Sequence, residues 1–151
     1  MTESNTGEIK KRTTVNARPE VIFRALIDET ELMQWFSNER TVLEPQVGGA
    51  WMLKHCLSYS GEIHTMRGKI LEIIQDKILS YTWNVDEFPD IPETIVTWTI
   101  EPLDGGSRSE IMLVHSNLTD DSDDADRTWS YLIGRFADHC KRKERSTDLG
   151  Q

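Results

Sequence analysis

The segment Trp129-Ser130-Tyr131-Leu132-Ile133-Gly134-Arg135-Phe136-Ala137-Asp138-His139-Cys140 decides the fold. Trp129, Leu132, Ile133, Phe136, Ala137 and Cys140 recur at the three- and four-residue steps of a helix. At 100° per residue they span an arc of about 140°, a stripe that a helix buries on one side. Charge marks the two ends. Asp120, Asp121, Asp123, Asp124 and Asp126 come before the stripe, and Lys141, Arg142, Lys143 and Arg145 come after it. Both clusters have the sign that the helix dipole favours. The spacing predicts a helix from about Ser122 to Glu144, roughly 34 Å long and able to cross a small sheet. Gly134 lies off the stripe and costs about 1 kcal/mol relative to alanine.

Working outward, the period changes to two. Trp51, Leu53, His55 and Leu57 alternate with Met52, Lys54 and Cys56. Leu79, Tyr81, Trp83 and Val85 alternate with Ser80, Thr82 and Asn84. Val96, Trp98 and Ile100 alternate with Thr97 and Thr99, and Ile111, Leu113 and His115 with Met112 and Val114. Strict alternation indicates half-buried strands. Turn chemistry separates them at Gly48-Gly49, Ser58 to Gly61, Gln75-Asp76-Lys77 and Asp104-Gly105-Gly106. Breaks this short join antiparallel neighbours, since parallel ones need crossovers of a dozen residues or more. Asp86 to Pro92 is the least regular connection, a rim loop with an exposed Phe88. Ahead of this meander, Glu8 to Asn16 reads as a first strand. Pro19 and Glu20 open a first helix, and a second runs from about Glu29 to Phe36. One apolar helix stripe and one apolar sheet face are best satisfied by packing the helix on the concave side of a twisted sheet.

Composition narrows the function. The chain has 151 residues, with 17 Lys+Arg against 26 Asp+Glu, a formal charge of -9. That length suits one domain, expected over residues 8–145 with flexible tails at 1–7 and 146–151. The acidic balance argues against nucleic acid, which needs a basic footprint, and against an anionic membrane surface. No run approaches the ~20 apolar residues of a transmembrane helix, and the polar N-terminus lacks a signal-peptide core. A cytoplasmic location is expected, with Cys56 and Cys140 as reduced thiols.

The chemistry-bearing residues are few. Three histidines, His55, His64 and His115, fall in strands, and His139 falls on the helix. No zinc-ligand spacing is present, and no metal is expected. His115 shares a face with Ile111 and Leu113, which makes it a polar point in an apolar wall that could orient a ligand or act as a general base. The run Asp120 to Asp126 lacks the glycine and glutamate of a calcium loop. There is no nucleophile elbow or phosphate loop, and no cofactor is expected.

The order and spacing of several short pieces carry a resemblance. They are Arg18 to Leu26, Leu32 to Phe36, Gly48-Gly49-Ala50-Trp51, Gly68 to Glu72, Leu79 to Trp83, Thr94 to Ile100, Gly105-Gly106-Ser107, Ile111 to His115, and Trp129 with its stripe. Together, from about Thr13 to Lys143, they resemble the activator of heat shock protein 90 ATPase homologue-like branch of the START-like (SRPBCC) superfamily. One departure is the longer spacing between Gly106 and Ile111. The resemblance implies an α+β helix-grip fold: a curved antiparallel sheet of about six or seven strands around a long C-terminal helix, with two short helices after the first strand. It also implies a hydrophobic ligand such as a lipid, sterol or aromatic polyketide.

The leading expectation is therefore a small-molecule binding domain with its cavity between the sheet and the last helix. The expected lining is Phe36, Trp51, Leu53, His64, Met66, Trp83, Trp98, His115, Trp129, Ile133 and Phe136. A co-chaperone of the stress response, stimulating a heat shock protein ATPase, is the second expectation and rests on family analogy. A cyclase or hydrolase of the same fold, using His115, His64 and Glu62, is the third. A monomer or weak homodimer is expected.

Overall fold

A computed structural model describes residues 7–36, 39–56, 61–118 and 122–149. Expectations for Leu57, the turn at 58–60, Asp120, Asp121 and the outermost tail residues lie outside these, as do the side chains of the acidic run before Asp126. The chain runs β1 (Gly7–Val15), α1 (Pro19–Ile27), α2 (Glu29–Trp35), β2 (Arg40–Leu43), β3 (Ala50–Cys56), β4 (Ile63–Ile74), β5 (Ile78–Val85), β6 (Thr94–Leu103), β7 (Arg108–Leu118) and α3 (Ser122–Leu149). The seven strands form one antiparallel sheet in the order β1-β7-β6-β5-β4-β3-β2. Six consecutive strands form the expected meander, and β1 closes the far edge against β7.

The turns follow the sequence chemistry. Gly48, Asp76, Asp104, Gly105 and Gly106 all have positive φ, which glycine and aspartate tolerate. Gly68 serves a different need. A Cβ at that position would collide with the Thr82 carbonyl, so β4 and β5 approach too closely for a side chain. Of the residues between Gly106 and Ile111, Arg108 to Glu110 are already sheet, because β7 begins at Arg108. Its extra residues seat Ser109, whose buried hydroxyl donates to the Ala17 carbonyl at 2.8 Å. That bond ties the start of β7 to the entrance of α1.

The last helix is longer than the sequence spacing predicts, with 28 residues ending at Leu149 rather than Glu144. Its buried stripe is also turned. Trp129, Leu132, Phe136 and Cys140 are buried as expected, but so is His139, while Ile133 and Ala137 are only partly covered. The cause is a partner that no periodicity could show. His139 Nε2 lies 2.9 Å from Glu31 Oε1 on α2, and both side chains are almost fully shielded from solvent. Two polar groups that match each other can sit in a helix interface where neither could alone. Arg135 Nε donates to the Trp35 carbonyl at 2.9 Å, capping the end of α2. Glu144 accepts from the Arg18 backbone N–H at 3.0 Å, just ahead of α1. The long helix is thus held to both short helices as well as to the sheet.

Gly134 faces open solvent, and a methyl group added there would meet no atom within 4 Å. Gly134→Ala should therefore stabilise the protein by about 1 kcal/mol in urea unfolding, the helix-propensity difference undiluted by any clash. A destabilised variant would show that α3 is not helical at this position.

Candidate functional site

The inner face of the sheet carries a continuous set of rings. Trp98 touches Trp35, Trp129 and Phe136, with centroids 5.9, 5.9 and 5.0 Å away. Trp83 touches Phe36, Trp51, His115 and Trp129 at 6.0, 5.5, 5.4 and 5.6 Å. Most contacts are tilted or edge-on, the arrangements that suit the ring quadrupole. The indole N–H groups are placed as well. Trp35 Nε1 donates to the Ala25 carbonyl, Trp51 Nε1 to the Thr82 carbonyl and Trp98 Nε1 to the Tyr81 hydroxyl, at 2.8, 2.8 and 3.0 Å.

At the centre is a buried polar chain. Trp129 Nε1 donates to His115 Nδ1 at 2.8 Å. An indole nitrogen can only donate, so His115 Nδ1 carries no proton and Nε2 does. Nε2–H then points to Thr94 Oγ1 at 2.8 Å, and the Thr94 hydroxyl donates onward to the Trp83 carbonyl at 3.4 Å. Burial pushes the His115 pKa down to about 4, because the charged ring would be poorly solvated there. The lone pair that a general base would use is already occupied. Burial likewise raises the Tyr81 hydroxyl and, with the Glu31 charge beside it, the Cys140 thiol. Neither is a ready nucleophile.

The gap expected between α3 and the sheet is filled by these side chains: Trp98, His115, Trp129 and Phe136 are packed core. Among the described residues a small apolar void of about 10 Å³ is present, enough for roughly one water molecule. It lies nearer the short helices. Leu26, Leu32, Trp35 and Phe36 bound it on one side, and Leu43, Trp51, Leu53 and Tyr81 bound it on the other. Of the expected lining residues, Phe36, Trp51 and Leu53 border it. Trp83 stacks on Phe36 beside it and is only partly buried. Met66 is buried opposite Leu53 in the sheet register. Ile133 is half-covered at the edge of the helix stripe. His64 sits at the open end of the sheet, paired in register with His55, 3.3 Å from Glu62 and against the Phe88 ring. It is not brought to His115, so the three candidate catalytic groups do not converge as one cluster. Leu26, Leu32, Trp35, Leu43 and Tyr81 also border the void and are absent from the expected lining; of these, Tyr81 alternates with Ser80 and Thr82 in sequence, which signals an inward face. Among the described residues no three His, Cys, Asp or Glu side chains gather as metal ligands. No helix there is long and apolar enough to cross a membrane.

The family model for Activator of Hsp90 ATPase homolog 1-like protein matches residues 16–140. The chain belongs to this family. Solved structures agree on the fold. Protein CV1439 from Chromobacterium violaceum is 25% identical with a TM-score of 0.78, covering 91% of this chain and 97% of its own. Protein MLL2253 from Mesorhizobium loti is 20% identical with a TM-score of 0.73, covering 90% and 98%. The Aha1 dimer from Colwellia psychrerythraea is 19% identical with a TM-score of 0.68, covering 89% and 96%. Among proteins with curated descriptions, none matches the chain in sequence.

The state of His115 gives this family member a definite pH response. A folded pKa of about 4 against an ordinary 6.5 means that the unfolded chain takes up the proton first. Its contribution is fully present above about pH 6.5 and is lost as pH falls toward 4. Over that window it amounts to something on the order of 3 kcal/mol. His115→Gln should flatten the difference in urea stability between pH 7 and pH 4.5, relative to wild type, by a measurable part of that amount. An unchanged pH slope would mean that His115 is not held neutral.

Proposed function

We propose that the protein is a binding domain for a hydrophobic small molecule, acting in the cytoplasm through a single domain spanning residues 8–145. In this reading the ligand enters beneath α1 and α2, on the inner face of β2, β3 and β5, and Trp83 with Phe36 closes over the site. The observation that carries it is the small apolar void between Leu26, Phe36, Leu43 and Trp51, next to the partly exposed Trp83 indole. A void this size takes no ligand by itself, so binding requires the rings at its edge to swing aside. The neutral, fully engaged His115 favours binding over catalysis, because it offers no free base.

A second reading, stimulation of a heat shock protein 90 ATPase, is favoured by the family description. It predicts recovery of the chaperone in a pull-down and a raised ATPase rate. A dimeric relative makes a weak homodimer of this chain a further proposal.

The ligand reading is tested by a hydrophobic library against delipidated protein, with Trp83→Ala in parallel. A compound at about 100 times its Kd should stabilise the fold by about 2.7 kcal/mol. Removing the indole should strengthen binding of the bulkier hits. Absence of any melting-temperature shift in either protein would reject the reading.

A further inference from the structure

The inner face of β2 and β3 holds two polar atoms with nothing to bond. Thr41 Oγ1 and His55 Nδ1 are shielded from solvent and have no hydrogen-bond partner among the described residues. Buried polar atoms in folded proteins are nearly always paired, and an unpaired one calls for an explanation. These two belong together. Thr41 is paired with Leu53 in the sheet register, and His55 is two residues beyond Leu53. Both therefore lie on the face that presents Leu43, Trp51 and Leu53, the sheet wall of the void. They are diagonal neighbours on adjacent strands, a placement that sets residues about 7–8 Å apart with their Cβ atoms somewhat closer.

Their hydrogen-bonding characters are complementary to one small group. His55 also bonds the Phe36 backbone carbonyl. A carbonyl only accepts, so the unpaired Nδ1 is not the nitrogen bonded there, and Nε2–H is the donor. Burial, and then the nearby Arg135 and His64, hold the His55 pKa below its ordinary value. The ring is thus neutral at neutral pH and its Nδ1 is a bare acceptor. Thr41 brings a hydroxyl that can donate. A ligand hydroxyl would give its proton to His55 Nδ1 and accept one from Thr41 Oγ1. The charges around the site disfavour an anionic head. Glu39 acts on His55, Glu62 holds His64, and Glu87 accepts from the Thr65 backbone N–H. Arg135 is the cation facing His55, and it is already engaged with the Trp35 carbonyl.

We propose that the ligand is a neutral apolar molecule bearing a hydroxyl, with that hydroxyl docked between Thr41 and His55. The inference rests on the ligand-binding reading and specifies which end of the ligand the protein reads.

The test compares 2-naphthol with 2-methoxynaphthalene, which has a similar shape but no proton to donate, by calorimetry on wild type, Thr41→Val and His55→Phe. Wild type should prefer 2-naphthol by about tenfold, the worth of one well-made hydrogen bond. The preference should shrink to about twofold or less in His55→Phe, which removes the acceptor of the ligand's proton, whereas Thr41→Val should weaken both probes by a similar factor, and unchanged affinities in Thr41→Val would overturn the inference. Thr41→Val is nearly isosteric and keeps the test intact should His55→Phe fail to fold. Equal binding of the two probes to wild type, as when a single water satisfies both atoms, overturns this inference and leaves the ligand reading standing. Binding of neither probe, together with an empty library screen, overturns both.

Discussion

The structure depends on how one helix face is seated on one sheet face, and the bond from Trp129 to His115 fixes that seat. An apolar stripe alone can slide or rotate on an apolar wall at small cost. A buried indole N–H cannot be left without an acceptor. By pairing with His115 Nδ1 at 2.8 Å, Trp129 sets both the height and the rotation of α3. The other rings then fall into place around it. Trp98 meets Trp129 and Phe136, and Trp83 bridges Trp129 to Phe36 at the short helices. The pair of His139 with Glu31 fixes the rotation of α3 again from the side of α2.

This arrangement has a functional consequence. Aromatic packing fills the region under α3 so completely that the remaining space moves toward α1, α2 and the β2–β3 edge. The deep core and the candidate ligand site are therefore different places. The core is held by rings with satisfied N–H groups. The candidate site lies beside Trp83, which is only partly covered, and on the sheet face that carries Thr41 and His55, whose shielded polar atoms have no partner among the described residues. On the proposed function, stability and ligand exchange would make opposite demands on packing, and separate parts of one interior would meet both.

The architecture was legible because periodicity is local. The three- and four-residue spacing from Trp129 to Cys140 and the alternation of Tyr81, Trp83, Val96, Trp98, Ile111 and Leu113 each report which way a side chain faces. The turn signals at Gly48, Asp76 and Asp104 report where the chain reverses. What stayed hidden depends on pairs distant in sequence. His139 reads as a polar interruption of a stripe until Glu31, on another helix, is known to meet it. His115 reads as a candidate base until Trp129 is seen to occupy its lone pair. Whether Trp98, Trp129 and Phe136 line a cavity or fill it depends on a few ångströms of approach between helix and sheet, and spacing carries no information about that. Tyr81 was visible as an inward residue, but nothing in its pattern separated a void's edge from ordinary core.

The seat of the long helix is tested most directly by the ring nitrogens of His115, followed by nitrogen-15 NMR as the pH is lowered. The expected result is a neutral ring with its proton on Nε2 and a bare, hydrogen-bonded Nδ1, unchanged down to about pH 5, well below the ordinary histidine pKa of about 6.5. A ring that titrates near 6.5, or one that carries its proton on Nδ1, would contradict the bond from Trp129 and the placement of α3 that depends on it.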